Sequence, residues 1–368
     1  MLHLLIVEDN KNQIKLYEDT IDEFNTNSDT KIGIKFGNSL EDGLEQIRNN
    51  DFDAAIIDLR LGVGDVEGKG KELIKEIKSN LRFPVFVLTG YPGDLDEDLR
   101  ISNVFYKVYE QTKKDTIEVL EEMTDIYKTG ITKIMGRKGI IENTLQEVFW
   151  ENIAASMEYW KTEIEDEGKI IEKILSRHIL AHLSERLKLT EEGEFETYHP
   201  AEVYIMPPIK EEFFIGDILK RESDTKYYII LTPACDMVLR KRKDGEPYRN
   251  ADKIIIVKLI EFSNFPEVSD YISTQSNTKK KEVEKYIKNT KKERYHFLPP
   301  FGSRIPGFLI DFQDISRINS EEFTNYDRVA SVDEPFLKDI IARFTSYYAR
   351  QGSPDLDMGI ILKKIVND

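Results

Sequence analysis

"DFDAAIIDLRLG" (residues 51–62) runs four apolar residues, Ala54 to Ile57, straight into the carboxylate of Asp58, with Leu59 and Leu61 behind it. An apolar run this short, bounded by polar residues, reads as a strand buried on both faces. The segments on either side have the same texture. Leu2–Val7 is a continuous apolar run, and Lys31–Phe36 alternates Ile32, Ile34 and Phe36. "FPVFVLTG" (83–90) and "NVFYKV" (103–108) complete five predicted strands, with Phe52–Asp58 the third. Between them, Lys11–Phe24, a stretch capped by Asn38 or Ser39 and carrying Leu40, Leu44 and Ile47, Lys71–Asn80, and Thr112–Tyr127 carry helical spacing. Strands interleaved with helices predict right-handed crossovers and a parallel sheet covered on both faces.

In an open parallel sheet, ligands meet the carboxyl ends of the strands. The polar residues at those ends are Glu8 and Asp9 on the first strand, Asp58 on the third and Thr89 on the fourth, with Lys107 in the fifth. Asp58 is therefore carried to a rim by its apolar run, not buried by it. Three neighbouring carboxylates repel one another and need a cation or protons. A hard divalent ion with oxygen ligands, Mg2+, suits them. A carboxylate neutralised in this way can attack phosphorus, so the set is what an aspartyl-phosphate site requires.

Together "LLIVEDN", "DAAIIDLRLG", "VFVLTG" and "FYKV" resemble the receiver domain of two-component response regulators, over about the first 128 residues. The resemblance implies a flavodoxin-like α/β fold and a phosphoryl group accepted on Asp58 from a histidine kinase or phosphotransfer protein. It also implies Mg2+ held by Glu8, Asp9, Asp58 and the backbone carbonyl of Arg60. Thr89 and Lys107 would sense the phosphoryl group, with Phe105 or Tyr106 as the switch aromatic. Two features depart from the usual pattern. The loop after Asp58 is long and glycine-rich, and the short spacing from Thr89 to Lys107 implies a trimmed fourth helix in "YPGDLDEDLRISN". On this reading the protein is a phosphoacceptor regulator and not an enzyme, beyond self-catalysed phosphotransfer and dephosphorylation. A relay or phosphate-buffer component without its own output is the alternative.

The remaining two thirds divide at 129–195 and 196–368. Two helices are predicted in 139–189, with apolar stripes including Phe149, Trp150, Ile153, Met157 and Trp160, then Ile171, Ile174, Leu175, Ile179, Leu183 and Leu187. Stripes this broad suit a coupling segment or a homodimer contact. His178 and His182 share one helix face and read as packed histidines. From about 200, short β-rich runs separated by Pro, Gly and charged turns predict a small barrel or sandwich, followed by a helical tail broken around "QGSPDLDMG". Cys235 in "LTPACDM" and His296 form a thin candidate nucleophile pair, with packing the preferred reading. The lysine run at 279–294 reads as a solvated helix face, with nucleic-acid or acidic-protein binding as the sharper alternative.

The 368 residues suffice for two or three domains, and 40% hydrophobic content supports real cores. A net charge of -16 disfavours a nucleic-acid surface that is basic all round. One cysteine permits no internal disulfide, no run is long enough to span a membrane, and "MLHLLIVEDN" reads as a strand in place of a signal peptide. A cytoplasmic location is expected.

Overall fold

The structure, a computed structural model, describes residues 1–61, 69–163, 168–190, 192–352 and 354–366. The chain forms two compact units, Met1–Glu196 and Thr197–Asp368.

The first unit is built on β1 (Leu2–Val7), α1 (Lys11–Asn27), β2 (Ile32–Gly37), α2 (Leu40–Asn49), β3 (Ala54–Ile57), α3 (Gly70–Asn80), β4 (Val85–Thr89), β5 (Tyr106–Glu110) and α4 (Thr116–Lys128). All strand pairs are parallel, in the order β2-β1-β3-β4-β5. This is the flavodoxin-like order, whose switch point lies between β1 and β3. Alternate strand residues feed two cores. Leu5, Val7, Ala55, Ile57, Val85 and Val87 pack against α2 and α3, while Leu4, Ile6, Ile56, Phe86 and Leu88 pack against α1 and α4. Every residue of β3 is at most 1% exposed, which explains why its sequence lacks polar alternation.

Helix starts follow the local chemistry. The Asn10 side chain accepts from the Asn12 amide to cap α1, Ser39 accepts from the Asp42 amide to cap α2, and Asp115 accepts from the Ile117 amide to cap α4. Between β4 and β5 the chain forms only two 3-10 turns, Pro92–Asp94 and Glu97–Leu99, as the short spacing there predicted. The glycine-rich loop lies, over 62–68, outside the described residues. After α4 come α5 (Ile131–Met135), α6 (Ile140–Val148), a π-helical turn Phe149–Ile153, α7 (Ala154–Glu163) and α8 (Gly168–Arg186). His178 and His182 pack together, their Nε2 atoms 3.2 Å apart, with the Trp160 ring against His178.

The second unit contains β6 (Tyr204–Ile205), β7 (Asp217–Arg221), β8 (Tyr227–Ile230), α9 (Ala234–Met237), β9 (Arg240–Lys241), β10 (Pro247–Tyr248) and β11 (Ile254–Glu261). It continues with α10 (Pro266–Thr274), α11 (Asn277–Ile287), β12 (Tyr295–Leu298), β13 (Phe308–Ile318), β14 (Tyr326–Val332), α12 (Glu334–Ala349) and α13 (Met358–Val366). Seven of its strands form one curled antiparallel half-barrel in the order β12-β13-β11-β8-β7-β14-β6, and β9 pairs only with β10. The β-rich texture of the sequence is thus one large sheet beside a two-stranded ribbon, with α12 packed on the large sheet through Ile340 and Tyr347. The lysine-rich α11 is held by Val283 and Tyr286, and Lys279, Lys285 and Lys291 pair with Asp270 and Glu282. Among the described residues no helix is long and apolar enough to cross a membrane.

Candidate phosphoacceptor site

The carboxyl ends of β1 and β3 bring three acids together. Potential ligand atoms of Glu8, Asp9 and Asp58 lie within 4.8 Å of one another. The backbone places them: Asp58 donates its amide to the Val7 carbonyl at 3.0 Å, which ties the residue after β3 to the end of β1. Glu8 is only 3% exposed, and its Oε1 accepts from the Asn10 amide at 3.0 Å. Burial, reinforced by the charges of Asp58 and Asp9, pushes its carboxyl up to about 7. Burial also raises Asp58, against the Thr89 hydroxyl, the Leu59 and Arg60 amides that favour its charged form, and with Asp9 adding repulsion. The Leu59 amide donates to Asp58 Oδ1 at 2.8 Å.

Thr89 closes β4, is fully buried, and reaches the Asp58 carboxylate with its hydroxyl, which also accepts from the Tyr91 amide at 3.2 Å. The Arg60 side chain turns aside, pairing with Asp94 at 2.7 Å and lying 3.4 Å over the Tyr91 ring.

Lys107 is a correction. The sequence reading ended the fifth strand near Val108, but β5 starts at Tyr106 and runs to Glu110. Lys107 stands level with Phe86, while Glu110 stands level with Thr89. Three residues of strand separate the lysine from the rim, about 10 Å. Its ammonium donates to Glu122 Oε2 of α4 at 2.6 Å, and this ion pair, not Asp58, raises its pKa. Gln111 occupies the place just beyond the rim, its amide donating to the Thr89 carbonyl at 3.0 Å. Between the two switch candidates the packing discriminates. Phe105 is 45% exposed, whereas Tyr106 is buried and donates its hydroxyl to the Leu99 carbonyl at 2.8 Å.

Two residues near the acids escaped the sequence reading. Tyr17 of α1, spaced like a core residue, is 1% exposed, and its hydroxyl lies by Glu8, Asp58, Gln13 and Gln111. Gly70 opens α3 against the acceptor: a Cβ there would stand 2.2 Å from the Asp58 carbonyl oxygen. The one available signal was the glycine directly before a helical stripe. In the second unit, Cys235 and His296 do not meet. Cys235 follows β8, His296 lies in β12, and these strands are three spacings apart, about 14 Å.

The acid set fits a magnesium ion: three hard oxygen donors at one strand-end crevice, two of them with carboxyls pushed toward the neutral form by burial and mutual repulsion. A divalent cation relieves that repulsion. No protein-family model matches the sequence, and no curated protein matches it. Solved structures do. One is the N-terminal domain of a response regulator/sensory box/GGDEF three-domain protein from Carboxydothermus hydrogenoformans, 20% identical, covering 35% of this chain and 98% of that one, with a TM-score of 0.28. Another is a CheY-like receiver domain from Methylobacillus flagellatus, 19% identical over 34% and 98% of the two chains, with a TM-score of 0.28. A third is a response regulator of Thermotoga maritima in complex with Mg2+-BeF, 21% identical over 33% and 99%, with a TM-score of 0.27. Over its N-terminal third the chain is similar to response-regulator receiver domains.

Proposed function

We propose that the chain is a phosphoacceptor signalling protein whose Asp58 takes a phosphoryl group from a histidine kinase or phosphotransfer protein. The observation that carries this reading is the convergence of Glu8, Asp9 and Asp58 at the strand-end crevice, with the Thr89 hydroxyl on Asp58. An Asp58 oxygen forms the new bond to phosphorus as the donor's nitrogen–phosphorus bond breaks. The departing electron pair stays on the imidazole nitrogen, which takes up a proton. Mg2+ held by Glu8, Asp9, Asp58 and the Arg60 carbonyl would neutralise charge on the phosphoryl oxygens. The Leu59 amide holds one carboxylate oxygen of Asp58 and so orients the other. On this reading the protein regulates and does not turn over a substrate.

Incubation of the full chain with Mg2+ and acetyl phosphate tests it. The wild type is expected to gain one hydroxylamine-labile phosphoryl group by intact mass, and Asp58→Asn none. Equal labelling of both, or labelling of neither with a competent kinase present, would overturn the reading.

A further inference from the structure

The side of the site facing α1 and β5 has a donor set that the sequence did not announce. A phosphoryl oxygen on Asp58 needs hydrogen-bond donors around it, and Thr89 supplies one from β4. From β5 the ammonium of Lys107 is held back by Glu122 at 2.6 Å, three register positions below the rim. Phe86 stands level with that lysine on β4. At the rim itself stands Glu110, level with Thr89 and paired with Lys113 at 2.6 Å, and Gln111 follows just beyond it, fixed through its backbone to Thr89. Across from it the Tyr17 side chain rises through the α1/α4 core beside Ile6, Ile56 and Leu88. Its hydroxyl emerges by Gln13 and Gln111, within the field of Glu8 and Asp58. A tyrosine buried to this degree needs a polar destination for its hydroxyl, and packing beside the paired Ile6 and Ile56, each two residues before Glu8 and Asp58, directs it toward the acid crevice.

We propose that the Tyr17 hydroxyl and the Gln111 carboxamide are the donors that hold a phosphoryl oxygen on Asp58 from the α1/β5 side, where a fixed ammonium is not available. The inference rests on the phosphoacceptor reading above. Both donors are neutral, so they orient the oxygen without cancelling its charge. Neutralisation then falls on the divalent cation and on protons, and occupancy of the site depends steeply on free Mg2+.

The test uses the full chain with Mg2+ and beryllofluoride as the phosphoryl probe. Tyr17→Phe keeps the ring and its packing, and Gln111→Ala changes a half-buried turn residue, so at least one variant reports even if the other folds poorly. Each is expected to bind beryllofluoride about tenfold more weakly, the scale of one hydrogen bond to a charged group, with an unchanged melting temperature. Gln111→Lys, which restores an ammonium at the rim, is expected to bind more tightly and to need less Mg2+. With tyrosines 13C-labelled at the hydroxyl-bearing carbon, the resonance missing from Tyr17→Phe should move when Mg2+ and beryllofluoride are added, a response that packing alone would not give. Wild-type affinity in both Tyr17→Phe and Gln111→Ala, with that resonance stationary, would overturn the proposal while leaving Asp58 as acceptor. Failure of the wild type to bind the probe any better than Asp58→Asn would instead remove the phosphoacceptor reading, and this proposal with it.

Discussion

Glu8 is a carboxyl group placed where burial and two like charges oppose its ionisation. Its folded pKa of about 7 exceeds the ordinary 4.5, so between those values the folded chain binds more protons than the unfolded chain. Without a divalent ion, this group's contribution to stability is therefore full below about pH 4.5 and is lost as pH rises through 7. Glu8→Gln, which cannot ionise, is expected to melt higher than the wild type at pH 8 without Mg2+, the gap closing toward pH 5; thermal melts across that range measure it. Mg2+ binding should show the opposite trend, since the ion requires the carboxylate: wild-type affinity, followed by calorimetry, is expected to fall as pH drops from 8 to 6. Lys107 gives the complementary prediction. Because its partner is Glu122, Lys107→Met should cost about 0.5–1 kcal/mol in denaturant unfolding, as a partly exposed pair does, yet leave labelling of Asp58 unchanged. A labelling defect as severe as that of Asp58→Asn would return the lysine to the site.

At the scale of elements, α3 is fitted to the acceptor strand through one residue. The Gly70 amide donates to the Leu59 carbonyl at 3.0 Å, and its missing side chain lets the helix start against the Asp58 backbone. Gly70→Ala must push α3 or the Asp58 peptide away. It is expected to destabilise the fold by about 1–3 kcal/mol and to slow phosphorylation; normal labelling with normal stability would show the contact to be dispensable. The link from β4 to β5 is equally particular. Two 3-10 turns replace a helix, with Lys71 and Lys75 of α3 bridging to Asp96 and the buried Tyr106 bound to Leu99.

At the scale of the molecule, the helical segment after the α/β sheet leaves large side chains on its surface. Trp150 is 70% exposed, Tyr159 76% and Leu180 63%, although the helices carrying them also pack on each other. Apolar side chains of this size in solvent suit the homodimer contact expected of this segment, which we propose as their role. Light scattering on the full chain is expected to give a dimer that Trp150→Ala with Tyr159→Ala converts to a monomer; a wild-type monomer with and without beryllofluoride would dismiss that interface.

What the amino-acid order by itself determined was the parallel α/β unit and the acids at its rim. Strands buried on both faces must be apolar throughout, so a carboxylate closing such a run, as Asp58 closes Ala54–Ile57, can only lie at the strand end. The cap of α2 was legible as Asn38 or Ser39 for a similar local reason, since such a side chain bonds within its own turn, and the structure selects Ser39. The identity of the donors around Asp58 was decided only by tertiary structure. Where Lys107 falls along β5 depends on register with β4, a pairing between segments separated in the chain, and one shift of three residues exchanges a lysine at the rim for Glu110, with Gln111 just beyond it. Tyr17 has the spacing of an ordinary core residue, and only the packing of α1 across β1 and β3 reveals that its hydroxyl ends among the acids.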